Sequence, residues 1–165
     1  MPFIIQHQTQ PCPVSCVATC IAMITDFPAN QVIEAFHKEY REGDLSIGDM
    51  FRRIGLAFKS FDTAERQSLD EDGVYMVSVP SLNIRGGMHQ VIVEIADGEW
   101  TVLDPNMGRD DRLYYSSQPN SDLHPQVVML GSGYNVDCII KHEVLAYWRA
   151  DNPNAFRPDE PGYTD

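Results

Sequence analysis

Long hydrophobic runs are missing from this chain. No apolar stretch approaches the ~20 residues that a membrane-spanning helix needs, and the first residues lack a basic segment followed by an apolar one. The expectation is a soluble protein without membrane insertion, cytoplasmic or exported by a route that uses no classical signal peptide. Positive charge is also scarce. Twelve Lys and Arg face 24 Asp and Glu, for a formal net charge of −12, which opposes phosphate backbones and acidic membrane surfaces, so nucleic acid is not an expected partner. Cysteines are few, at positions 12, 16, 20 and 138. Their spacing gives no C-x2-C knuckle and no His pair at zinc-finger spacing follows, so neither metal nor cofactor is expected. A chain of 165 residues does not need a disulfide to complete its core. There is no internal repeat and no break in composition. The reading is a single domain over 1–150 and a flexible tail over 151–165, where Pro153, Pro158 and Pro161 alternate with acids.

What the chain does have is an apolar helix near its start. Val17, Ala18, Cys20, Ile21, Ala22, Met23 and Ile24 leave no polar stripe, the pattern of a helix buried on all sides. Ser15 is placed to cap it, which puts Cys16 in the first turn, where free backbone N–H groups and the helix dipole favour an anion. A thiolate is such an anion, and its pKa falls there. An isolated Cys in an apolar run is ordinarily a small buried hydrophobe, so other residues must decide its role. Cys12 is a rival nucleophile. Pro11 and Pro13 flank it and hold it in extended backbone outside the dipole's reach.

A second helix is expected after Pro28, capped by Asn30, with Val32, Ile33, Phe36 and Tyr40 on one face and Gly43-Asp44 at its end. His37 falls among charged neighbours there and reads as a solvated helix histidine. Ser46 opens a third helix over 47–54, stopped by Gly55. From residue 56 the period changes to two. Segments 56–61, 73–79, 88–95, 99–103, 126–130 and 136–140 are short, β-branched or aromatic and bounded by turn residues. Residues 104–125 are loop-rich with a strand fragment at 113–115, and 142–149 closes as a helix. Helices followed by an antiparallel sheet define an α+β fold.

Asp97-Gly98 signals a two-residue type I′ turn. It pairs Ala96 with Glu99, Ile95 with Trp100, Val93 with Val102 and Val91 with Asp104. His89 and Asp104 then share a face, on the diagonal, with Val91, Val93, Ile95, Trp100 and Val102, so that face packs inward. A buried imidazole and carboxylate satisfy each other. Met88 and Gly86-Gly87 leave room for something to approach His89. A nucleophile on a central helix, a base on a strand and a carboxylate to orient it make a Cys-His-Asp triad of Cys16, His89 and Asp104. Gln10, six residues before Cys16, is a candidate oxyanion donor together with the Cys16 backbone N–H. Gln6 bears the same relation to Cys12, and spacing alone leaves both open.

Gln10, Cys16 with Cys20-Ile21-Ala22-Met23-Ile24 behind it, Met88-His89-Gln90-Val91 and Val102-Leu103-Asp104-Pro105 follow one another in an order that resembles the papain-like peptidases that process bacteriocin double-glycine leaders. The resemblance spans residues 10 to about 108, with Gly55-Leu56 between. It implies a papain-like fold with the nucleophile helix central and packed on a C-terminal antiparallel sheet, Gln10 as the oxyanion residue, and Cys16, His89 and Asp104 as the triad. Two features differ from the family. Val17-Ala18 stands where a Gly, often Gly-Pro, usually follows the nucleophile, and the membrane transporter to which family members are commonly fused has no counterpart among the apolar runs of these 165 residues. The implied activity is a freestanding cysteine peptidase acting on a peptide or protein. Effector-type glutamine deamidases and acyl transferases use the same triad, and a non-catalytic binding module is the remaining reading. Gly86-Gly87 and the 105–125 loop, with Tyr114 and Tyr115, are expected to border the cleft.

Overall fold

A computed structural model describes residues 2–61, 68–117, 127–129 and 133–156. Its centre is α1, Cys16–Thr25, in which every residue from Val17 to Thr25 is buried, as an all-round apolar helix requires. Ser15 precedes it without a side-chain cap; its hydroxyl donates instead to the Cys12 carbonyl at 3.1 Å. The helix ends at Asp26, in the left-handed region at φ 61°.

The second helical run consists of α2 (Ala29–Val32), a π-helical turn (Ile33–His37) and α3 (Lys38–Arg41). Asn30 does not cap it. Pro28 is the preceding residue, and the free Ala29 N–H donates 2.9 Å to Gln8 Oε1 from the N-terminal segment, a distant acceptor that makes a local one unnecessary. Val32 and Phe36 are buried as expected, while Ile33 and Tyr40 are half-buried. The next helix, α4 (Ile47–Arg53), begins in a capping box in which Ser46 and Asp49 bond each other's backbone N–H.

Five antiparallel strands follow: β1 (Lys59–Ser60), β2 (Gly73–Pro80), β3 (Met88–Ala96), β4 (Glu99–Leu103) and, later in the chain, β7 (Asn135–Ile140). They are ordered β1-β7-β2-β3-β4. With the helices beside this sheet the fold is α+β. Asp97 and Gly98 both have positive φ, at 51° and 78°, and the β3–β4 register runs Ala96↔Glu99 through Ile92↔Leu103 as the turn dictates. Asp104 leaves the ladder, so the expected Val91–Asp104 pairing is not formed. Between them, β5 (Tyr114–Ser116) and β6 (Val127–Met129) pair in parallel as a separate sheet. This corrects the expectation that 126–130 joins the main sheet: strands of three residues carry no period from which a partner can be read. Residues 126 and 130 lie outside the described residues.

The sheet is buried on both faces. On one, Val74, Met76, Ile92, Cys138 and Ile140 pack with α1; on the other, Tyr75, Val77, Val79, Val91, Val93 and Ile95 form a second core. The face that carries His89 is therefore inward, as its sequence demands, but it packs away from α1 over most of its length. Trp100 is 40 % exposed, which corrects its assignment to that interior; β4 is the sheet's edge. At the C-terminus α5 extends over His142–Asp151. Phe156 beyond it is buried with its ring 5.0 Å from Phe27 and 5.5 Å from Phe36. Residues 151–156 are thus part of the packed structure and not a tail; 157–165 lie outside the described residues.

Candidate active site

Cys16 is the first residue of α1, and Cys20, one turn later, lies against the start of β3, its thiol 3.5 Å from the Gln90 carbonyl. That contact sets the helix N-terminus beside His89. The Cys16 thiol lies beside the His89 imidazole, near enough for that ring, with the backbone N–H groups of Gln90 and Val17, to favour its ionised form. His89 Nε2 bonds Asp104 Oδ1 at 2.6 Å, leaving Nδ1 as the ring nitrogen for the thiol. Cys16, His89 and Asp104, spread over 88 positions of the sequence, are therefore brought together, the last two by a hydrogen bond.

Asp104 is held on every side. Its Oδ1 also accepts from Asn106 N at 2.8 Å and its Oδ2 from Tyr115 N at 2.7 Å. The Asp104 carbonyl bonds His7 Nε2 at 2.7 Å, and the Gln10 N–H donates to the next carbonyl, Pro105 O, at 2.8 Å. The turn beyond is fitted closely to the N-terminal segment. Gly108 has φ +95°, and a Cβ there would lie 2.7 Å from Thr9 Oγ1, so no other residue fits without displacement.

Burial of the thiol would raise its pKa. The hydrogen bond and charge of His89, with the Gln90 and Val17 N–H groups, outweigh burial and lower it from the ordinary value. For His89, burial opposes the charged form, yet the bonds to Asp104 and Cys16 raise its pKa to about 9. Both shifts favour a thiolate–imidazolium pair over the neutral pair. The other buried thiols are the inverse case: burial raises Cys20 well above the usual range and pushes Cys138 up to about 12. Cys12 is half-buried, and all four thiols are free.

Gln10 is placed differently from expectation. It is 2 % exposed and does not line the open cleft; its side-chain Nε2 donates to the Cys12 carbonyl at 2.7 Å, while its Oε1 has no hydrogen-bond partner. The second amide N–H is uncommitted among the described residues. Gln8, two residues earlier, holds the entry to α2, and His37 sits half-buried in the π-helical turn, not among the residues that line the cleft.

A cleft of about 370 Å³ opens over Cys16 and His89. Gly87 borders it as expected and Gly86 does not; Met88 joins it, and from the loop after β4 so do Asn106, Arg109 and Arg112, as expected of that loop. Tyr114 and Tyr115 do not. Tyr115 is buried in the second core with its hydroxyl on the Pro80 carbonyl at 2.7 Å, so its place in the motif is structural. Residues 118–125 of that loop lie outside the described residues.

Sequence reasoning passed over several neighbours. Tyr40 and Arg41, from the end of α3, also line the cleft. Behind the wall, Ser78 Oγ and Gln90 Nε2 both donate to Asp137 Oδ2, at 2.7 and 2.9 Å. Asp137 is the extra residue where the β2–β7 register shifts, a bulge that turns its carboxylate toward Gln90. A bulge of this kind leaves no mark in period-two patterning. No protein-family model, curated protein or solved structure matches this chain.

Proposed function

We propose that this protein is a cysteine-dependent amide hydrolase, a papain-like peptidase in which Cys16 is the nucleophile, His89 the general acid and base, and Asp104 the group that orients the imidazole. The observation that carries the reading is that Cys16 and His89 line one cleft, with His89 held by a 2.6 Å hydrogen bond to the buried Asp104. The Cys16 thiolate attacks the substrate carbonyl. The tetrahedral oxyanion meets the Cys16 backbone N–H at the helix start, with the uncommitted N–H of Gln10 as second donor. Support for Gln10 is that its side-chain nitrogen, which donates one N–H to the Cys12 carbonyl, keeps a second N–H uncommitted among the described residues. The His89 imidazolium gives its proton to the departing amine, leaving a thioester. Neutral His89 then takes a proton from water, whose oxygen attacks the thioester carbonyl and releases the acid and the thiolate.

A peptide or protein substrate is favoured by the rim. Val14, Ile84 and Met88 are 38 %, 52 % and 62 % exposed and all border the cleft, an apolar surface where side chains flanking the scissile bond can land. The test is cleavage of a diverse peptide mixture, read by mass spectrometry, by the wild type and by Cys16→Ala. New termini that appear only with the wild type support the reading. No cleavage, together with a Cys16 that alkylates no faster than Cys12, overturns it.

A further inference from the structure

The chain carries twice as many acidic as basic residues, 24 against 12, yet the cleft wall reverses this ratio. Arg41, Arg109 and Arg112 line it, and among the described lining residues there is no Asp or Glu. Two of these cations are positioned by the machinery of the site itself. Arg109 Nη1 bonds Asn106 Oδ1 at 3.1 Å, and Asn106 Nδ2 lies 3.4 Å from His89 Nε2, so the guanidinium is two links from the general base. Arg112 precedes Leu113, whose backbone exchanges two bonds of 2.8 Å with the Asn83 side chain; this ties the arginine's loop to the other loop of the cleft rim. Arg41 and Arg112 have no ion-pair partner among the described residues, whereas Arg53, outside the cleft, is paired with Glu39.

Resting on the hydrolase reading above, we propose that the cleft beside Cys16 recognises a carboxylate of the substrate, held by Arg109 and Arg112 with Arg41 nearby, so that the preferred amide lies next to an acidic side chain or a free C-terminus. A guanidinium presents its donors in a fork that matches a carboxylate. In a protein whose overall charge repels anions, a local cationic wall also makes the cleft a favourable landing place for an acidic segment.

The test compares alkylation of Cys16 by iodoacetate and by neutral iodoacetamide, with Cys12 in the same molecule as the reference. The ratio of the two rates cancels any change in the thiol's own nucleophilicity. At low salt the ratio at Cys16 should exceed that at Cys12 by about tenfold or more. In Arg109→Gln and Arg112→Gln it should fall severalfold, and further in the double variant. A ratio that stays at the wild-type value in the double variant overturns the proposal, because the attraction then belongs to His89. Failure of the underlying reading looks different: Cys16 would react no faster than Cys12 even with iodoacetamide, and both inferences would fall together. The source of the carboxylate is resolved by protection of Cys16 from iodoacetamide. An amidated tetraglutamate peptide protects if side-chain carboxylates are recognised, tetraglycine with a free C-terminus protects if the terminal carboxylate is, and protection by neither overturns the proposal.

Discussion

Cys16 and His89 shift each other in opposite directions, and the pH profile of the reaction follows from the signs. The thiol's pKa is lowered and the imidazole's is raised to about 9, so the ion pair exists between the two values. Below the lowered thiol value Cys16 is protonated; above about 9 the imidazole loses the proton that the leaving amine requires. Peptide cleavage should therefore rise with the Cys16 titration and fall through about pH 9, whereas iodoacetamide alkylation, which needs only the thiolate, should rise once and stay high. In His89→Ala the alkylation inflection should move up, toward the ~8.5 of a free thiol. An unmoved inflection would mean that the helix N-terminus alone lowers the pKa. Gln10 separates by the same pair of readouts. Gln10→Ala should lower kcat by about 10²–10³, the effect of losing one oxyanion donor, and leave the alkylation rate close to wild type, since alkylation develops no oxyanion. A parallel fall in both would assign Gln10 to holding the Cys12 carbonyl and the turn into α1. At this scale the sequence was informative where chemistry is local: a Cys opening an apolar helix, and a His and an Asp related through one hairpin. It was silent on Asn106 and Asp137, which meet His89 and Gln90 only through the loop after β4 and a bulge in β7.

Strands β3 and β4 were legible because Asp97-Gly98 fixes their turn and the turn fixes their register. Their surroundings were not. Period-two reading assigns one buried and one exposed face, and Glu94 then belongs outside; instead it is fully buried on the α1 side. Its oxygens accept from the Ile4 and Ile5 N–H groups, at 2.9 and 3.0 Å, and from His142 Nε2 at 2.8 Å. These partners are 90, 89 and 48 residues away, beyond the reach of any local pattern. The carboxylate thus joins the middle of β3 to the N-terminal segment and to the start of α5. Removing one member of such a buried pair leaves the others unsatisfied, which typically costs about 3–5 kcal/mol. Glu94→Ala should lower the urea midpoint accordingly, and Glu94→Gln, which keeps one acceptor oxygen, should lose less. Equal stability of Glu94→Ala and wild type would show that the N-terminal segment does not depend on this anchor. The same segment reaches Asp104 and Pro105 through His7 and Gln10, so Glu94→Ala should also broaden the pH dependence of Cys16 alkylation.

For the whole molecule, α1 is the element around which both ends of the chain close. Near its C-terminus, Arg149 of α5 donates to the Met23 and Ile24 carbonyls, at 3.2 and 2.7 Å, and to the Ile4 carbonyl at 3.2 Å. This satisfies helix-end acceptors with a cation, the favourable polarity there, and at the same time ties α5 to the N-terminal segment. Phe156 then seals the far side against Phe27 and Phe36. Composition pointed the other way, since prolines and acids around residue 156 are the mark of a tail and one aromatic among them carries no period. The Cys16 end and the closing end of α1 are separated by the helix itself, ten residues at 1.5 Å each, or about 15 Å. The two functions should therefore be separable by mutation. Phe156→Ala removes a ring that is 4 % exposed and should cost about 3–5 kcal/mol of unfolding free energy, measured as a fall in urea midpoint without a change in slope. Under native conditions the same variant should alkylate at Cys16 with the wild-type pH profile. If its profile moves together with its stability, the helix transmits strain from the closing end to the nucleophile, and α1 acts as one rigid lever; if only stability falls, the site at Cys16 is set by β3 and the Asp104 turn alone.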